Sequence, residues 1–360
     1  YNDYHKARLE GKRPCTVFTD FLKDERLKAG KDTRLINGSP FEYTIEMRRY
    51  FLAFVSAVKS RRFINGMAIG MNVHSPDVTE LVNLLRNKGD HYICGDYHSF
   101  GPTLDPNAVR ELGVLVNQWY DRYCPENTPT DNRIRTDLLN DANNALHLAY
   151  DLFYVVLCGS PSGSPLTDLV NSYANLRYMC RAWLHVMAPY PHLTPLSVFH
   201  AKVFKAVYGD DVIMSTTKDI AEVFNNSTLS DYFSTIGITY TDATKTGAEP
   251  FCGLDKASFL KCGFIPHPTR KGQWLAALDW KCVAETPAWI RKSASDEDAT
   301  IENCNAALLN AHGHGPEKYN MLRGKVTEAL QNLNIPYSAP TWTQTDNNFY
   351  DSPNHGYTPY

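Results

Sequence analysis

The stretch KVFKAVYGDDVIMST (202–216) restricts the fold of this chain more than any other. Apolar and polar residues alternate over 202–208, and 211–216 is rich in strand formers, so two strands flank a Gly-Asp pair. Gly-Asp between two such runs is a hairpin signal. The fold must therefore contain a sheet that closes around this turn. Two neighbouring carboxylates, Asp210 and Asp211, suit a cation site only if a further acid arrives from another element; on shape alone the segment is an ordinary hairpin.

That further acid has a candidate. In YICGDYHSFGPTLDP, Asp96 follows an apolar strand and precedes an aromatic-rich turn. A carboxylate at the end of a buried strand is costly unless it is paired or holds a cation, although capping a turn would also explain it. Metal-dependent phosphoryl transfer needs carboxylates from separate elements converging on hard cations, and Asp96 and Asp210 supply such a pair if their strands are neighbours. In GSPSGSPLTDLVNS (159–172), a loop built on Gly159, Pro161, Gly163 and Pro165 leads into a helix on which Thr167 and Asn171, four residues apart, share one face. Ser162 lies at the loop–helix junction, where its hydroxyl and the unsatisfied N–H groups can meet a ligand. Two hydroxyls and an amide aimed together suit a sugar; a capped helix with polar surface residues is the plainer alternative.

Three further stretches carry charge in telling places. FLKDERLKAGKDTRLINGSP (21–40) sets Lys23, Arg26, Lys28, Lys31 and Arg34 among small and turn residues, a pattern that serves a triphosphate or an RNA backbone as well as a solvated face. GITYTDATKTG places Lys245 in a Thr-rich turn, where an ammonium can protonate a leaving pyrophosphate, although an exposed lysine with no role is the commoner case. SFLKCGFIPHP surrounds Lys261 with Phe259, Leu260 and Phe264, a strand pair that can support a primer backbone, though core packing explains the aromatics equally well. Charge is unevenly spread: residues 1–62 hold 14 Lys/Arg against 8 Asp/Glu, a net of +6, and the remainder totals −9. A basic wall facing an acidic site is the layout expected when a polyanion and metal are bound together.

With 360 residues, 43% hydrophobic and 21% charged, the chain is an ordinary globular protein long enough for two or three packed subdomains. Its nine cysteines never form a C-x-x-C pair, which suits a reducing compartment and gives no zinc site by spacing. No apolar run reaches the length of a bilayer span. The opening YNDYHKARLEGKRP reads as mid-chain, the character of a fragment or processed product. Periodicity predicts a basic, loop-rich segment over 1–40 and helices over 41–62, 76–88, 106–122, 132–149, 164–187, 218–236, 298–311 and 316–332. Strands are expected at 91–97, 151–158, 258–264 and 274–279, and a loosely ordered tail from Pro336. Strands and helices alternate without the beat of a βαβ array, so the fold class is α+β.

Read in order, the basic K-D-E…K-x-T-R stretch, the post-strand Asp96, S-G-x-x-x-T-x-x-x-N, Y-G-D-D, the Lys245 turn and F-L-K-x-x-F resemble the six motifs of viral RNA-dependent RNA polymerases of the picornavirus-like group. The match covers roughly residues 20–270, and the FGP after Asp96 resembles the insect iflavirus branch. The resemblance implies a right hand of fingers, palm and thumb, with an antiparallel palm sheet packed on helices. It would divide the chain into partial fingers (1–90), palm (91–122), a fingers/palm insertion (123–150), palm (151–270), and thumb and tail (271–360). It implies that Asp96 and Asp210 bind two Mg²⁺ ions, with Mn²⁺ able to substitute and Asp211 auxiliary. Ser162, Gly163, Thr167 and Asn171 would surround the ribose of the incoming NTP. Lys23, Lys31 and Arg34 would meet its triphosphate, and Lys245 would be the general acid. Implied partners are an RNA template and primer, NTPs, a small genome-linked protein primer, and viral replication proteins on host membranes. The implied location is the host cytoplasm, at membrane-associated replication complexes.

Departures from the pattern are equally specific. Where the family has a second aspartate five residues after the first, this chain has Gly101, and the next acid is Asp105; ribose discrimination would rest on Ser162 and Asn171, or on Asp105 if its loop returns. The basic stretch has one residue more than the usual spacing between its Gly and Arg, which bears on Lys31 more than on Arg34. Few residues precede the basic motif, so much of the usual fingers region would be missing. Two rivals follow: a catalytically silent RNA-binding fragment, and a reverse transcriptase, against which the hydroxyl-and-amide motif tells.

Overall fold

The computed structural model describes residues 1–25, 27, 30–242 and 249–351. Its first part departs from the loop-rich expectation. Helix α1 (Asn2–Leu9) is followed by strands β1 (Val17–Leu22) and β2 (Leu35–Gly38). Helix α2 (Phe41–Ser60) comes next, close to its predicted limits. Helix α3 (Asp77–Lys88) begins after Pro76, and strand β3 (His91–Tyr97) has the predicted bounds. Helix α4 (Pro106–Tyr123) is capped by Asp105 with Pro at its first turn.

Helix α5 (Pro129–Asn143) opens on a capping box between Thr128 and Asp131 and stops six residues before the predicted end. The residues expected to continue that helix form β4 (Asn144–Ala149), which pairs with β5 (Leu152–Leu157) and runs parallel to β1. The sheet order β2-β1-β4-β5 explains the correction: β4 is demanded by β1, whose partner lies more than a hundred residues away. Phe18, Asp20 and His147 point to the buried face of this sheet; Phe21, Phe153, Val155 and Leu157 are exposed. Asp20 is tolerated inside because Asn37 Nδ2 donates to it at 2.6 Å, His147 Nδ1 lies 2.9 Å away and Tyr154 donates its hydroxyl.

Helix α6 (Thr167–Val186) and the short α7 (Leu196–Lys202) lead into the hairpin of β6 (Val203–Tyr208) and β7 (Asp211–Thr216). Of the helical stretch expected over 218–236, only α8 (Asn226–Thr235) is α-helix, begun by an Asn225 capping box. Strand β8 (Tyr240–Asp242) completes a central sheet of order β6-β7-β3-β8 with every pair antiparallel. Ile93, Tyr97, Val212 and Met214 pack one face of it against α4, α6 and α8 residues such as Leu112, Tyr178 and Phe233. Tyr92, Cys94, Ala206 and Ile213 pack the other against Leu81 and Leu85 of α3 and against Phe259 and Phe264. A sheet buried on both faces reads as near-continuous apolar sequence, as YIC and VIM do.

The last two of these residues belong to a small sheet of β9 (Ser258–Phe259), β10 (Cys262–Pro266) and β11 (Trp274–Leu278). Helices α9 (Trp280–Glu285), α10 (Asp296–Ala311) and α11 (Gly315–Asn332) gather around a third core of Val283, Leu308, Tyr319 and Leu322. The tail is not loose as far as residue 351. Helix α12 (Trp342–Tyr350) starts on a Thr341–Gln344 capping box and docks through buried Asp346, which meets His267 at 2.8 Å, His312 at 3.0 Å and Arg270 Nε at 2.7 Å. Its Asn, Asp and Tyr content reads as disorder only while these partners are unknown.

Candidate active site

The β6–β7 hairpin fixes the first piece of the site. Tyr208 pairs with Asp211, leaving Gly209 and Asp210 as a two-residue loop with Gly209 at φ 63°. Glycine with positive φ at the first central position is the type II′ turn, whose twist matches its strands. The turn lifts the Asp210 side chain to an exposed position. On β3, Gly95 pairs with Val212, and one step further along the same register brings Asp96 opposite Asp211. Cross-strand neighbours have Cβ atoms about 4.5–5.5 Å apart, so like charges there repel. Burial pushes the Asp211 carboxyl up from 3.8 to about 6, with Asp210 and Asp96 adding to the rise, although the Leu260 N–H donates to Asp211 Oδ2 at 2.6 Å and opposes it. Three acids on neighbouring elements, with oxygen donors only, fit a hard divalent cation. Their ligand atoms are more open than a closed cage: among the described residues only His267, His312 and Asp346 bring such atoms within 4.8 Å of one another.

That His–Asp–His group is a hydrogen-bonded lock and not a metal centre. His267 Nδ1 accepts the Arg270 N–H at 3.1 Å, so the ring proton sits on Nε2 and is donated to Asp346. A metal at Nε2 would need the opposite tautomer, with two N–H groups facing each other.

Helix α6 grips the Gly209–Asp210 turn through residues that the sequence motif stops short of. Ser172 Oγ accepts the Gly209 N–H at 2.8 Å. Asn175 Nδ2 donates to the Gly209 and Asp210 carbonyls, each at 3.1 Å, and Asn175 Oδ1 accepts the Tyr97 hydroxyl at 3.1 Å. Both Ser172 and Asn175 are fully buried. Ser172 directly follows Asn171 and Asn175 lies four residues, one helical turn, beyond it, and that placement is the only signal for them in the sequence. Gly95 is equally fixed: a Cβ there would lie 1.7 Å from the Tyr240 hydroxyl.

The loop before α6 is pinned to β2. The Asn37 N–H donates to Ser162 Oγ at 2.9 Å, leaving the serine proton to donate elsewhere. Ser39 Oγ donates to the Gly163 carbonyl at 2.9 Å, and a Cβ on Gly163 would stand 2.2 Å from Asn37 O, so only glycine permits this approach. Thr167 does not aim its proton outward: Oγ1 donates to the Pro161 carbonyl at 2.7 Å and bonds Ser164 O at 2.9 Å, holding the loop on its helix. Asn171 Oδ1 is buried and has no hydrogen-bond partner among the described residues.

In the basic segment, the Lys23 N–H bonds Arg34 O at 2.8 Å and brings both side chains onto Glu25. Arg34 Nε and Nη2 lie 2.9 and 2.5 Å from the Glu25 carboxylate, and Lys23 Nζ lies 3.3 Å from it. The Arg34 bonds, with Lys23 behind them, hold Glu25 down to about 2. Arg34 is raised chiefly by Glu25, with a further attraction from Asp210 of the β6–β7 turn. Lys31 is exposed on the same segment. Arg291 Nη2 donates to the Asp24 carbonyl at 3.1 Å, so this segment bridges to the carboxy-terminal helices across a cavity of about 940 Å³ lined by Glu25, Trp289 and Glu302. Lys245, Arg26 and Lys28 lie outside the described residues. Asp105 is committed elsewhere: it caps α4 through the Asn107 N–H and receives Arg177 at 2.5 Å. A Cβ on Gly101 would meet nothing within 4 Å.

Comparison with known proteins agrees with this geometry. The family model for viral RNA-dependent RNA polymerase matches residues 4–331. The genome polyprotein of Deformed wing virus, an iflavirus, is 35% identical over 353 residues, covering 96% of this chain and 12% of the polyprotein. That of Ectropis obliqua picorna-like virus is 33% identical over 350 residues, covering 95% of this chain and 11% of the polyprotein. The chain thus spans a small part of the curated relatives it matches. The solved Sicinivirus 3Dpol RNA dependent RNA polymerase superposes with a TM-score of 0.79 at 18% identity, covering 96% of this chain and 70% of that one, which makes the architecture a right-hand α+β fold. With a family model across most of its length and a relative at 35% identity, the chain belongs to the viral RNA-dependent RNA polymerase family.

Proposed function

We propose that the chain is the nucleotidyl-transferring part of an RNA-directed RNA polymerase that copies the positive-strand genome of a picorna-like virus. The observation that carries this is the β3–β7 register, whose last pair, Gly95 with Val212, brings the next residues, Asp96 and Asp211, together beside the type II′ turn of Asp210. In this reading a primer 3′-hydroxyl attacks the α-phosphate of an NTP. The O3′–Pα bond forms, the bond from Pα to the bridging oxygen breaks, and pyrophosphate leaves.

Asp96 and Asp210 hold the divalent ions, and Asp211, one oxygen of which is already bonded to Leu260 N–H, is auxiliary. Bound Mg²⁺, or Mn²⁺ in its place, supplies electrostatic stabilisation for the charge that develops on the transferring phosphoryl group. Ser162 offers its remaining proton, and Asn171 its unused oxygen, to the ribose hydroxyls. Thr167 and Gly163 act one step back, by fixing the loop that carries Ser162. Lys23, Lys31 and Arg34 receive the triphosphate, which must compete with Glu25 for Arg34. Lys245 passes a proton to the departing pyrophosphate. Residues 1–90 serve as partial fingers, 91–122 and 151–270 as palm with 123–150 inserted, and 271–360 as thumb and tail.

No helix among the described residues is long and apolar enough to cross a membrane. Residence in the host cytoplasm at membrane-associated replication complexes, and priming by a small genome-linked protein, are further parts of this proposal.

The test incubates the chain with RNA template, primer, labelled NTP and Mg²⁺, and measures extension beside RNA retention. Extension with NTPs is expected. Retention without extension identifies a silent RNA-binding fragment, and preference for dNTPs a reverse transcriptase.

A further inference from the structure

We propose that Asn175, with Ser172 beneath it, is a positioning residue for nucleotidyl transfer, a single buried carboxamide that sets the Asp210 turn and the Asp96 strand relative to each other. The inference rests on the polymerase reading and adds residues to its machinery.

A two-residue type II′ hairpin needs no outside support, because its own strands close it and its turn groups ordinarily face water. Here they do not. The Gly209 N–H is taken by Ser172, and the Gly209 and Asp210 carbonyls are taken by Asn175, so the turn backbone is bonded inward to α6. Holding the Asp210 carbonyl fixes the peptide plane between Asp210 and Asp211, and with it the direction from which both carboxylates leave the backbone.

The other end of the same amide matters as much. Asn175 Oδ1 accepts from Tyr97, the residue next to Asp96. One side chain therefore bonds to both elements that carry the metal-binding acids, at 3.1 Å in each direction. It does so from a position with no solvent exposure, where every polar atom must be used or its burial is costly. Asparagine alone fits these demands: aspartate has no donors for the carbonyls and would add a charge beside the acids, and leucine fills the volume without bonding.

A displacement of about 1 Å in a reacting group can lower a rate about 100-fold, so loss of this tie acts on turnover more than on substrate binding. The test compares wild type with Asn175→Leu, Ser172→Ala and Tyr97→Phe. Mn²⁺ affinity is read by electron paramagnetic resonance without RNA. The kcat and KM for NTP are read per active site from burst-phase extension, and the Tm is recorded alongside. Expected are Mn²⁺ affinity weakened about tenfold and kcat about 30-fold in Asn175→Leu, smaller losses of the same kind in the other two, and NTP KM within about threefold throughout.

A merely structural role would lower Tm and the active fraction but leave Mn²⁺ affinity and kcat per active site at wild-type values. That result in all three variants overturns the inference while wild-type extension keeps the polymerase reading intact. If Asn175→Leu does not fold, Ser172→Ala and Tyr97→Phe decide by the same two readouts. A wild type that neither binds Mn²⁺ nor extends RNA overturns the polymerase reading, and the inference with it.

Discussion

Replacing Asp211 by asparagine should make the metal-free protein more stable and the metal-bound protein less so. Burial first, then the charges of Asp210 and Asp96, raise the Asp211 carboxyl from 3.8 to about 6. Between these values the folded chain keeps a proton that the unfolded chain has lost. The contribution of this group to stability therefore falls as pH rises from about 4 to about 6, and above that its full penalty persists. At about 1.4 kcal/mol per pH unit the penalty is on the order of 3 kcal/mol, an upper figure because water reaches the neighbouring, exposed Asp210. Asparagine keeps an oxygen for the Leu260 N–H, 2.6 Å from Asp211 in the wild type, and removes the charge. Urea unfolding in EDTA at pH 4, 5, 6 and 7 is the assay. The gap between Asp211→Asn and wild type should be small at pH 4 and widen to on the order of 1–3 kcal/mol at pH 7, on top of the shared rise that depressed carboxylates such as Glu25 give both proteins. Adding saturating Mg²⁺ should reverse the order, since a ligand at free concentration c stabilises by RT ln(1 + c/Kd) and the variant has lost a carboxylate at the site. Parallel pH profiles for the two proteins in EDTA would refute the idea that Asp211 is strained by its neighbours.

Other expectations follow from single contacts. Gly163→Ala puts a Cβ 2.2 Å from Asn37 O, so the Ser162 loop must move off β2; NTP KM should rise about tenfold in extension kinetics, with RNA retention unchanged. Glu25→Gln frees Arg34 and Lys23 from their carboxylate and should lower NTP KM by roughly threefold, the opposite sign to Arg34→Ala, which loses a charge-assisted contact. Asp346→Ala leaves His267, His312 and Arg270 without their shared acceptor, so α12 should detach and lower the Tm, whereas a zinc chelator should leave the wild-type Tm unchanged.

What could be read from the sequence followed from what each segment needs. The hairpin and strand 91–97 stood out because a sheet buried on both faces leaves apolar runs such as YIC and VIM. Asp96 and Asp210 could be singled out as acids at strand ends, but their neighbourhood depends on β3 lying between β7 and β8, which no local pattern encodes. Strand β1 was hidden because its inward Asp20 is polar while its outward Phe21 and the exposed Leu22 at its end are apolar, an inversion explained only by Asn37, His147 and Tyr154. Strand β4 was hidden behind the helix that precedes it. Thr167 and Asn171 were visible as a pair on one helix face; that Thr167 turns back to its own loop, and that Ser172 and Asn175 do the gripping, required the turn to be in place.

The central claim is that Asp210 carries metal for nucleotidyl transfer. Primer extension on a primed RNA template by wild type and Asp210→Ala, with RNA retention and Tm measured on the same samples, tests it directly. The account predicts that the variant retains RNA and its fold while incorporation falls by about a thousandfold or more, as befits removal of a ligand of the ions that stabilise charge on the transferring phosphoryl group. Undiminished incorporation by Asp210→Ala would contradict it.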